Sequence, residues 1–564
     1  MYIAQSIAQN ENYSMKAKTL KIHPDDNILV ALTDLSENEE ISNGSGPITV
    51  KERVPAKHKF ALTDLNPGDE IKMYGLLVGK ATKPIPKGGL LSTENVKHIT
   101  SDFHEKTRTV TWTPPDVSKW KDKTFLGYHR ADGQVGTANY WLVIPMVFCE
   151  NRNVDMLKNA FLQELGYAEP EIYKRYVSEL VSLYKKGDVD SIKNQTVAPK
   201  PSDLTRKKPL FENVDGIKFL THEGGCGGIR QDAEALCGLL AGYIHNPNVA
   251  GATILSLGCQ NAQVEILQRK ILEHDPNFKK PLIILEQQQS GTEYEMLSKA
   301  IRETFLGLVE ANKLERKPAP LNKLVIGLEC GGSDGFSGIS ANPAIGHTSD
   351  LISALGGKAI LSEFPELCGV EQELINRCVN EQSADRFISL MRSYSDAAVA
   401  SGSGFDMNPS PGNIKDGLIT DAMKSAGAAK KGGTSPVADV LDYPEYVKNP
   451  GLNLLCTPGN DVESTTALAG SGANVVLFTT GLGTPTGNPI TPVVKISSNA
   501  ALAQKMPDII DIDSGSIISG DKTIEDVGGE ILDYIIDLAS GKFKTKAMEL
   551  NQDDFIPWKR GVSL

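Results

Sequence analysis

The sequence predicts an α/β protein in which a small all-β domain precedes a large α/β region with a mostly parallel sheet. Between about residues 19 and 98, short apolar runs alternate with His-Pro, Asn-Pro-Gly and Lys-Gly-Gly turns, which is typical of short strands. From residue 215 onward, continuous apolar runs end in Gly, Asn or Cys turns, and helical segments often follow. This second pattern is typical of parallel strands that are buried on both faces.

Composition and charge narrow the class of protein. The chain has 564 residues, of which 40% are hydrophobic and 23% charged, so it is long enough for several globular domains and too apolar for a disordered chain. The net charge of −12 argues against sequence-independent binding to nucleic acid. No apolar run approaches the roughly 18 residues of a membrane span. With eight cysteines and no visible signal peptide, we expect a cytoplasmic protein with reduced thiols.

The same patterns divide the chain into five segments. Residues 1–18 form a polar leader, residues 19–98 the β domain, and residues 99–125 a polar linker with a Pro-Pro pair. Residues 126–214 form an intermediate segment with a Lys- and Glu-rich helical insertion, to which we assign the contact of a homodimer. Residues 215–564 form the α/β domain, where we expect the chemistry to take place.

Four cysteines lie at or just beyond the expected ends of apolar strands. They are Cys149, Cys226, Cys259 and Cys330. Ligands of an open α/β sheet bind beyond the carboxyl ends of the strands, so these thiols are candidate ligands of iron or of an iron–sulfur cluster. The alternative is that they are inert buried thiols. The chain has no C-x-x-C pair, which disfavours a zinc ribbon.

Polar residues in and around the strand-end turns complete the candidate site. His222, just ahead of a Gly-Gly-Cys turn, and Glu363 are candidates for the catalytic acid and base. Arg130 and Lys424 are candidate clamps for a substrate carboxylate, with plain surface positions as the alternative. The turn residues expected to hold substrate oxygens are Gly332, Ser333, Asp334, Asn460 and Asp461.

Longer phrases of the sequence resemble the altronate/galactarate dehydratase family over nearly the whole chain. The ECGGSDG run, within Leu328–Gly346, is the most specific of them. The others include HKFALTDL at His58–Leu65, GYHRADGQVGTANYWLVIP at Gly127–Pro145, GCGG at Gly225–Gly228, LGCQNAQ at Leu257–Gln263, EFPELCGVEQ at Glu363–Gln372, NPSPGN at Asn408–Asn413 and TPGNDVESTTALAGSGANVVLFTTGLGTP at Thr457–Pro485.

This resemblance implies an N-terminal β-clip domain of the SAF type and a Rossmann-like parallel sheet in the C-terminal domain. It implies a hydro-lyase that acts on a hexonate or hexarate, with D-altronate to 2-dehydro-3-deoxy-D-gluconate as the expected reaction. Fe²⁺ is the expected cofactor, with Mn²⁺ or an iron–sulfur cluster as alternatives. The family's Gly-x-Arg-Asn run reads Gly136-Thr137-Ala138-Asn139 here. Asn139 therefore remains a substrate-binding candidate, and the missing Arg favours a hexonate over a hexarate.

Three alternative functions stay open. A galactarate dehydratase and a sulfo-lyase belong to the same family, although the fused β domain argues against the sulfo-lyase. From a different class, the chain could bind sugar acids without turning them over. Release of a 2-keto-3-deoxy acid from a panel of aldonates and aldarates distinguishes these alternatives, because a binding protein retains its ligand.

Overall fold

The computed structural model describes residues 17–42, 46–197 and 208–564. Residues 1–16 of the expected leader and residues 198–207 of the intermediate segment lie outside the described residues. The described chain contains small antiparallel sheets near the N-terminus and two larger sheets in which every strand pair is parallel. The predicted fold class is therefore confirmed.

The described part of the β domain contains eight strands of two to six residues, whose lengths follow from the Pro and Gly turns between them. They are β1 (Thr19–Leu20), β2 (Ile28–Ala31), β3 (Glu40–Ser42), β4 (Pro47–Thr49), β5 (Lys59–Ala61), β6 (Glu70–Met73), β7 (Leu76–Ala81) and β8 (Val96–Lys97). The domain docks directly on the C-terminal region. Lys59 Nζ donates to Gly417 O at 2.6 Å, and Thr420 Oγ1 donates to Val78 O at 2.8 Å.

The linker, residues 99–125, runs along the C-terminal region and is fastened to it. The indole N–H groups of Trp112 and Trp120 donate to Thr434 Oγ1 at 3.2 Å and to Asp533 Oδ1 at 2.9 Å. Three strands then form a small antiparallel sheet: β9 (Thr124–His129), β10 (Val135–Gly136) and β15 (Lys317–Pro320).

The first α/β unit contains a parallel sheet of four strands. They are β11 (Tyr140–Pro145), β12 (Gly216–Phe219), β13 (Val249–Ser256) and β14 (Leu282–Glu286), in the order β12-β11-β13-β14. Its helices are Asn151–Glu164, Ile172–Lys185, Val189–Asn194, Arg230–His245, Val264–His274 and Glu293–Ala311. Because β11 pairs with both β12 and β13, the boundary expected between residues 214 and 215 falls inside this sheet. The residues between β11 and β12 are the long crossover that a parallel pair requires.

The second α/β unit contains a parallel sheet of seven strands in the order β18-β19-β17-β16-β20-β21-β22. They are β16 (Val325–Cys330), β17 (Lys358–Leu361), β18 (Val437–Leu441), β19 (Gly451–Leu455), β20 (Val475–Thr480), β21 (Val493–Ser497) and β22 (Ile512–Asp513). Its helices are Ala341–Ala354, Glu371–Arg377, Glu381–Ala400, Pro411–Lys415, Asp421–Ala428, Asp461–Gly470, Ala500–Lys505, Gly515–Ile518, Ile524–Ala539 and Lys546–Glu549. In the described ranges, no helix is both long and apolar enough to cross a bilayer.

The strand order of the second sheet creates a crevice beside β16. The chain passes from β16 through β17, β18 and β19 on one side of the sheet and then crosses to β20 and β21 on the other side. At such a reversal, the loops after neighbouring strands diverge and leave a crevice at the carboxyl edge. Every residue of β16 and β20 is buried, as the continuous apolar runs predict.

Candidate active site

Polar side chains collect at the carboxyl edge of the seven-stranded sheet, beside this crevice. β16 ends in Cys330, β17 continues into Glu363, and β19 continues into Thr457. Because the strands are parallel, all three ends meet at one edge of the sheet. Four buried side chains contact one another there, and we call them the Cys330 cluster: Cys330, Glu363, Glu366 and Lys431.

Lys431 stands at the centre of the Cys330 cluster. Its Nζ donates to Glu363 Oε2 at 2.7 Å and lies 2.9 Å from Cys330 Sγ, while the Cys330 thiol donates to Glu366 Oε2 at 3.1 Å. The four residues are between 1% and 3% exposed. Burying an unpaired charge costs several kcal/mol, so the charged groups of the cluster stay ionised only because each has a partner of opposite charge.

Glu363 adopts a backbone conformation that non-glycine residues rarely occupy. Its φ is 66°, in the left-handed region, where an L side chain costs about 1–3 kcal/mol. Two contacts hold it there: Glu363 N donates to Thr457 Oγ1 at 2.8 Å, and Cys330 N donates to Glu363 Oε2 at 3.2 Å. Strain of this kind is typical of functional positions, which supports Glu363 as the predicted acid or base.

A second buried glutamate, Glu329, interacts with Glu363. Ser362 and Ser464 donate to Glu329 Oε2 at 3.0 and 2.5 Å, whereas Oε1 of Glu329 and Oε1 of Glu363 have no hydrogen-bond partner among the described residues. Burial, and next the charge of Glu363, raise the pKa of Glu329 well above its usual range. Burial, and next the charge of Glu366, raise the pKa of Glu363. Two adjacent buried carboxyls cannot both ionise, so the pair retains one proton at neutral pH.

The rim of the cluster carries a cation and an amide. Lys424 Nζ donates to Glu366 Oε1 at 2.5 Å and to Asn408 Oδ1 at 3.0 Å, and its side chain is 10% exposed. Burial disfavours ionisation of Glu366, but the charges of Lys424 and Lys431 outweigh it and lower the pKa of this carboxyl. Lys424 therefore lies where a substrate carboxylate could replace Glu366 as its partner.

Asp461 faces the same crevice from the start of helix Asp461–Gly470. A Cβ on Gly331 would lie 2.0 Å from Asp461 Oδ2, so only glycine allows this approach. Burial, and next the charges of Glu363 and Glu366, raise the pKa of Asp461 to about 6. The carboxyl is therefore mostly ionised at pH 7 and can accept a proton.

The remaining predicted turn residues shape the loops around the crevice. Asp334 is fully buried and accepts from Ser498 Oγ at 2.8 Å and from Lys57 Nζ of the β domain at 3.1 Å. Ser333 O accepts from Asn413, Gly332 has a φ of 60°, and Asn460 caps helix Asp461–Gly470. The predicted residues Gly332, Ser333, Asp334, Asn460 and Asp461 therefore lie in the loops around the crevice, and Lys57 of the β domain contacts one of them, Asp334.

Lys495, on β21, is a buried cation that lacks a direct partner. Its Nζ lies 4.1 Å from the ring centroid of Phe478 and has no hydrogen-bond partner among the described residues. Burial lowers the pKa of Lys495 to about 7, although the carboxylates of Asp511 and Asp461 oppose this shift. The amine is therefore close to half charged at neutral pH.

We expect Lys495→Met to change how stability depends on pH. The unfolded lysine holds its proton to about pH 10.4, whereas the folded lysine releases it near pH 7. Between these values the unfolded chain binds more protons, so Lys495 makes the free energy of unfolding rise with pH by up to about 1.4 kcal/mol per unit. Denaturant unfolding at about pH 6 to 9 should show a shallower rise for the variant. The exposed control Lys505→Met should match the wild type, and an unchanged slope for Lys495→Met would contradict the assignment.

Three of the four predicted cysteines lie at the carboxyl edge of the other, four-stranded sheet. Cys149, Cys226 and Cys259 follow the adjacent strands β11, β12 and β13, and all three are exposed. Their loops are hydrogen-bonded together: Phe148 N donates to Gly224 O at 3.1 Å, and Ala262 N donates to Gly225 O at 3.0 Å. The structure therefore places these three thiols at one edge and Cys330 in the other sheet, and the three thiols do not all lie within 4.8 Å of one another.

Two predicted substrate ligands lie at the wrong end of the first sheet. Arg130 and Asn139 precede β11, so they are at its amino edge, and both are buried. Arg130 donates to Pro247 O at 2.7 Å and to Ala138 O at 3.2 Å. The amide of Asn139 donates to two carbonyls, at 2.7 and 3.1 Å. Both side chains hold loops in place. Ala138 lies beside Asn139 at the same edge, so the Ala at this position is no longer an argument for a hexonate over a hexarate.

His222 also has a structural position. Its Nε2 donates to Pro145 O at 2.8 Å and its Nδ1 accepts from Gly224 N at 3.1 Å, so both ring nitrogens are used inside the turn. Burial lowers the pKa of His222, which keeps the ring neutral. The interpretation of His222 as an acid or base is therefore not supported.

Sequence reasoning missed Lys431 and Lys495. Lys431 follows a helix in an Ala-Ala-Lys-Lys-Gly-Gly run, and Lys495 lies inside a buried strand, so neither occupies a strand-end turn. A lysine within the otherwise apolar run at residues 493–496 was the available signal, because a charged residue is almost never fully buried without a reason.

Candidate metal-ligand groups are present, but the Cys330 cluster does not suit a metal ion as arranged. One ligand atom each from Cys330, Glu363 and Glu366 lies within 4.8 Å of the others. The Lys431 ammonium, however, already contacts both the thiol and Glu363 Oε2 and neutralises the carboxylate. This donor set therefore fits proton transfer better than metal binding.

The fold and site define a class: an α/β enzyme whose buried proton-sharing carboxyls and lysines flank a crevice at the carboxyl edge of a parallel sheet. Three family models match consecutive parts of the chain. Residues 17–99 match the altronate/galactarate dehydratase SAF domain, residues 127–312 the second domain of D-galactarate dehydratase/altronate hydrolase, and residues 321–563 the C-terminal D-galactarate/altronate dehydratase domain.

Curated relatives match over nearly the full length. The chain is 34% identical to the altronate dehydratases of Escherichia coli and Bacillus subtilis, over 93% of this chain and 95% of each relative. It is 31% identical to the galactarate dehydratase (L-threo-forming) of Escherichia coli, over 93% of both chains. The chain belongs to the altronate/galactarate dehydratase family, as the sequence phrases indicate, and the altronate dehydratases that it matches are hydro-lyases.

Proposed function

We propose that the protein dehydrates a sugar acid, with D-altronate converted to 2-dehydro-3-deoxy-D-gluconate and water. The observation that carries this proposal is the buried Glu329–Glu363 pair beside Lys431, in a chain related over 93% of its length to altronate dehydratases. Such a pair holds a proton at neutral pH, and dehydration requires a proton for the departing hydroxyl.

The substrate carboxylate binds at the rim of the Cys330 cluster. Lys424 supplies the charge and Asn408 an amide, and the two side chains are 3.0 Å apart. A charge-assisted contact of this kind is worth about 1.5–3 kcal/mol. Lys431, more deeply buried, stabilises the negative charge that develops near the carboxylate when the α-proton leaves.

Proton transfer divides between two carboxyl groups with different environments. Asp461, mostly ionised at pH 7, accepts the proton α to the substrate carboxylate. Glu329, whose pKa is raised furthest, holds the proton of the pair and passes it through Glu363 to the β-hydroxyl, and the hydroxyl leaves as water. One proton is taken and one is given, so the enol product carries the same net charge as the substrate and then tautomerises to the 2-keto-3-deoxy acid.

Iron binds at the edge formed by Cys149, Cys226 and Cys259, as Fe²⁺ or as an iron–sulfur cluster. Support comes from the three exposed thiols at neighbouring strand ends. Thiolates are good ligands of iron, whereas Mn²⁺ prefers oxygen ligands. Iron held there would supply a Lewis acid.

We expect Cys226→Ser and Cys259→Ser to lower bound iron by at least about tenfold at limiting iron, because each removes a soft ligand. Iron is measured on protein prepared without oxygen, together with its visible absorption. Cys237→Ser, a buried cysteine of the same unit, is the matched control and should retain iron. Iron that depends on Cys330 and not on Cys226 would place the metal in the Cys330 cluster instead.

A substrate panel tests the reaction. With Lys424 as the rim cation for one carboxylate, we expect kcat/KM for D-altronate to exceed that for galactarate by at least about tenfold, because the second carboxylate of galactarate needs a cation of its own. Release of 2-keto-3-deoxy acid is the measurement. Comparable turnover of galactarate would make the protein a hexarate dehydratase, and retention of either acid without turnover would make it a binding protein.

A homodimer in the cytoplasm completes the proposal. Helix Ile172–Lys185 exposes an apolar stripe on one face: Tyr173, Val177, Val181 and Tyr184, which are between 45% and 75% exposed. A second copy of the chain could cover this stripe, and sedimentation would report it. All eight cysteines are unpaired, which fits a reducing compartment.

A further inference from the structure

A second group of potential metal ligands lies where the β domain meets the C-terminal region. His98 follows β8 at the end of the β domain, Cys368 follows the short helix Phe364–Leu367, and Asp421 begins helix Asp421–Ala428. One ligand atom from each residue lies within 4.8 Å of the others. Small side-chain rotations bring such atoms to the separations found around one transition-metal ion.

Asp421 has a buried carboxyl group that interacts with the Cys368 thiol and has few other partners. The residue is fully buried, and its Oδ2 has no hydrogen-bond partner among the described residues, while Oδ1 has a long contact of 3.4 Å with Ser425 Oγ. Burial, and next the charge of Glu366, raise the pKa of Asp421. An unsatisfied buried carboxyl is costly, and a bound cation would remove this cost.

His98 and Cys368 are available to the same ion. Ala422 N donates to His98 Nδ1 at 3.4 Å, which holds the ring beside the start of the helix. Cys368 lines a cleft of about 440 Å³ together with Glu371, which gives an ion a path from solvent.

We propose that His98, Cys368 and Asp421 bind a divalent transition-metal ion of the zinc type that clamps the end of the β domain to the C-terminal region. A nitrogen, sulfur and oxygen donor set suits Zn²⁺, with water or a nearby carboxylate in the fourth position. Cys368 lies two residues after Glu366 and Asp421 three before Lys424, so the ion also fixes the two segments that form the 2.5 Å ion pair at the rim. This site is separate from the iron site and from the Cys330 cluster.

Co²⁺ titration of the full-length, metal-free protein tests this site, because cobalt–thiolate absorption reports a bound cysteine. We expect Cys368→Ser to lose one equivalent of bound Co²⁺ and the corresponding part of the absorption. Asp421→Asn and His98→Gln should each weaken binding of that equivalent by at least about tenfold. The buried control Cys378→Ser should behave as wild type.

Two outcomes would overturn the proposal: equal cobalt stoichiometry and affinity in the wild type and all three ligand variants, or loss of binding in the Cys378→Ser control as well. His98 is only partly buried, so His98→Gln should fold even if Asp421→Asn does not. Because the readout is metal binding, a failed dehydratase assay does not affect this test. Loss of the cobalt site likewise does not affect the evidence for dehydration.

Discussion

Replacement of Glu363 by Gln should lower kcat by about 10²- to 10⁴-fold, the range typical of a lost general acid. The amide keeps the size of the side chain and can still accept from Lys431 through its oxygen, but it cannot supply the proton that the Glu329–Glu363 pair holds. Substrate binding at Lys424 is untouched, so KM should change little. Rates and KM are measured with saturating D-altronate on protein of verified secondary structure.

The exposed Glu381→Gln is the matched control and should keep wild-type kcat. The pH profile offers a second readout: kcat/KM of the wild type should fall as pH drops through about 6, because Asp461 then takes up a proton and cannot act as a base. Retention of more than about a tenth of wild-type kcat by Glu363→Gln would remove Glu363 from proton transfer.

Much of the fold was predictable because buried parallel strands leave a simple signal. Their apolar runs are continuous and end in turns, as β16 and β20 show. The partition into sheets was not predictable, since β11 and β12 are joined by a long crossover and only their pairing reveals that they are neighbours. The predicted boundary between residues 214 and 215 therefore separates two strands that belong to one sheet.

The candidate site divides in the same way. Glu363 and Asp461 follow strands at the carboxyl edge, and the rule that ligands bind there finds them. Arg130 and Asn139 lie in a run that resembles the family, but they precede β11 and therefore lie at the opposite, amino edge of the sheet. Lys424 and Lys431 come from a helix and the turn after it, and only the packing of that segment against β16 and β17 brings their ammonium groups to the carboxylates.

Replacement of Lys431 by Met should lower both activity and stability. It removes the cation that contacts Cys330 and Glu363, and loss of one partner of a buried pair typically costs about 3–5 kcal/mol. Activity should fall at least about 100-fold, because the charge that stabilises the developing enolate is gone. Lys430→Met, at the neighbouring and more exposed position, is the matched control and should change neither quantity appreciably.

The pH dependence of this loss distinguishes a missing charge from a packing defect. Without Lys431, the folded variant keeps Glu363 buried only when it carries a proton, so the pKa of Glu363, already raised in the wild type, rises further above the unfolded value of about 4.3. The folded variant then binds more protons than the unfolded chain, and its free energy of unfolding falls as pH rises above that value. The deficit relative to wild type should therefore grow between about pH 5 and 7 in denaturant unfolding. A deficit of constant size across this range would show that Lys431 contributes packing and not the buried charge on which the proposed mechanism depends.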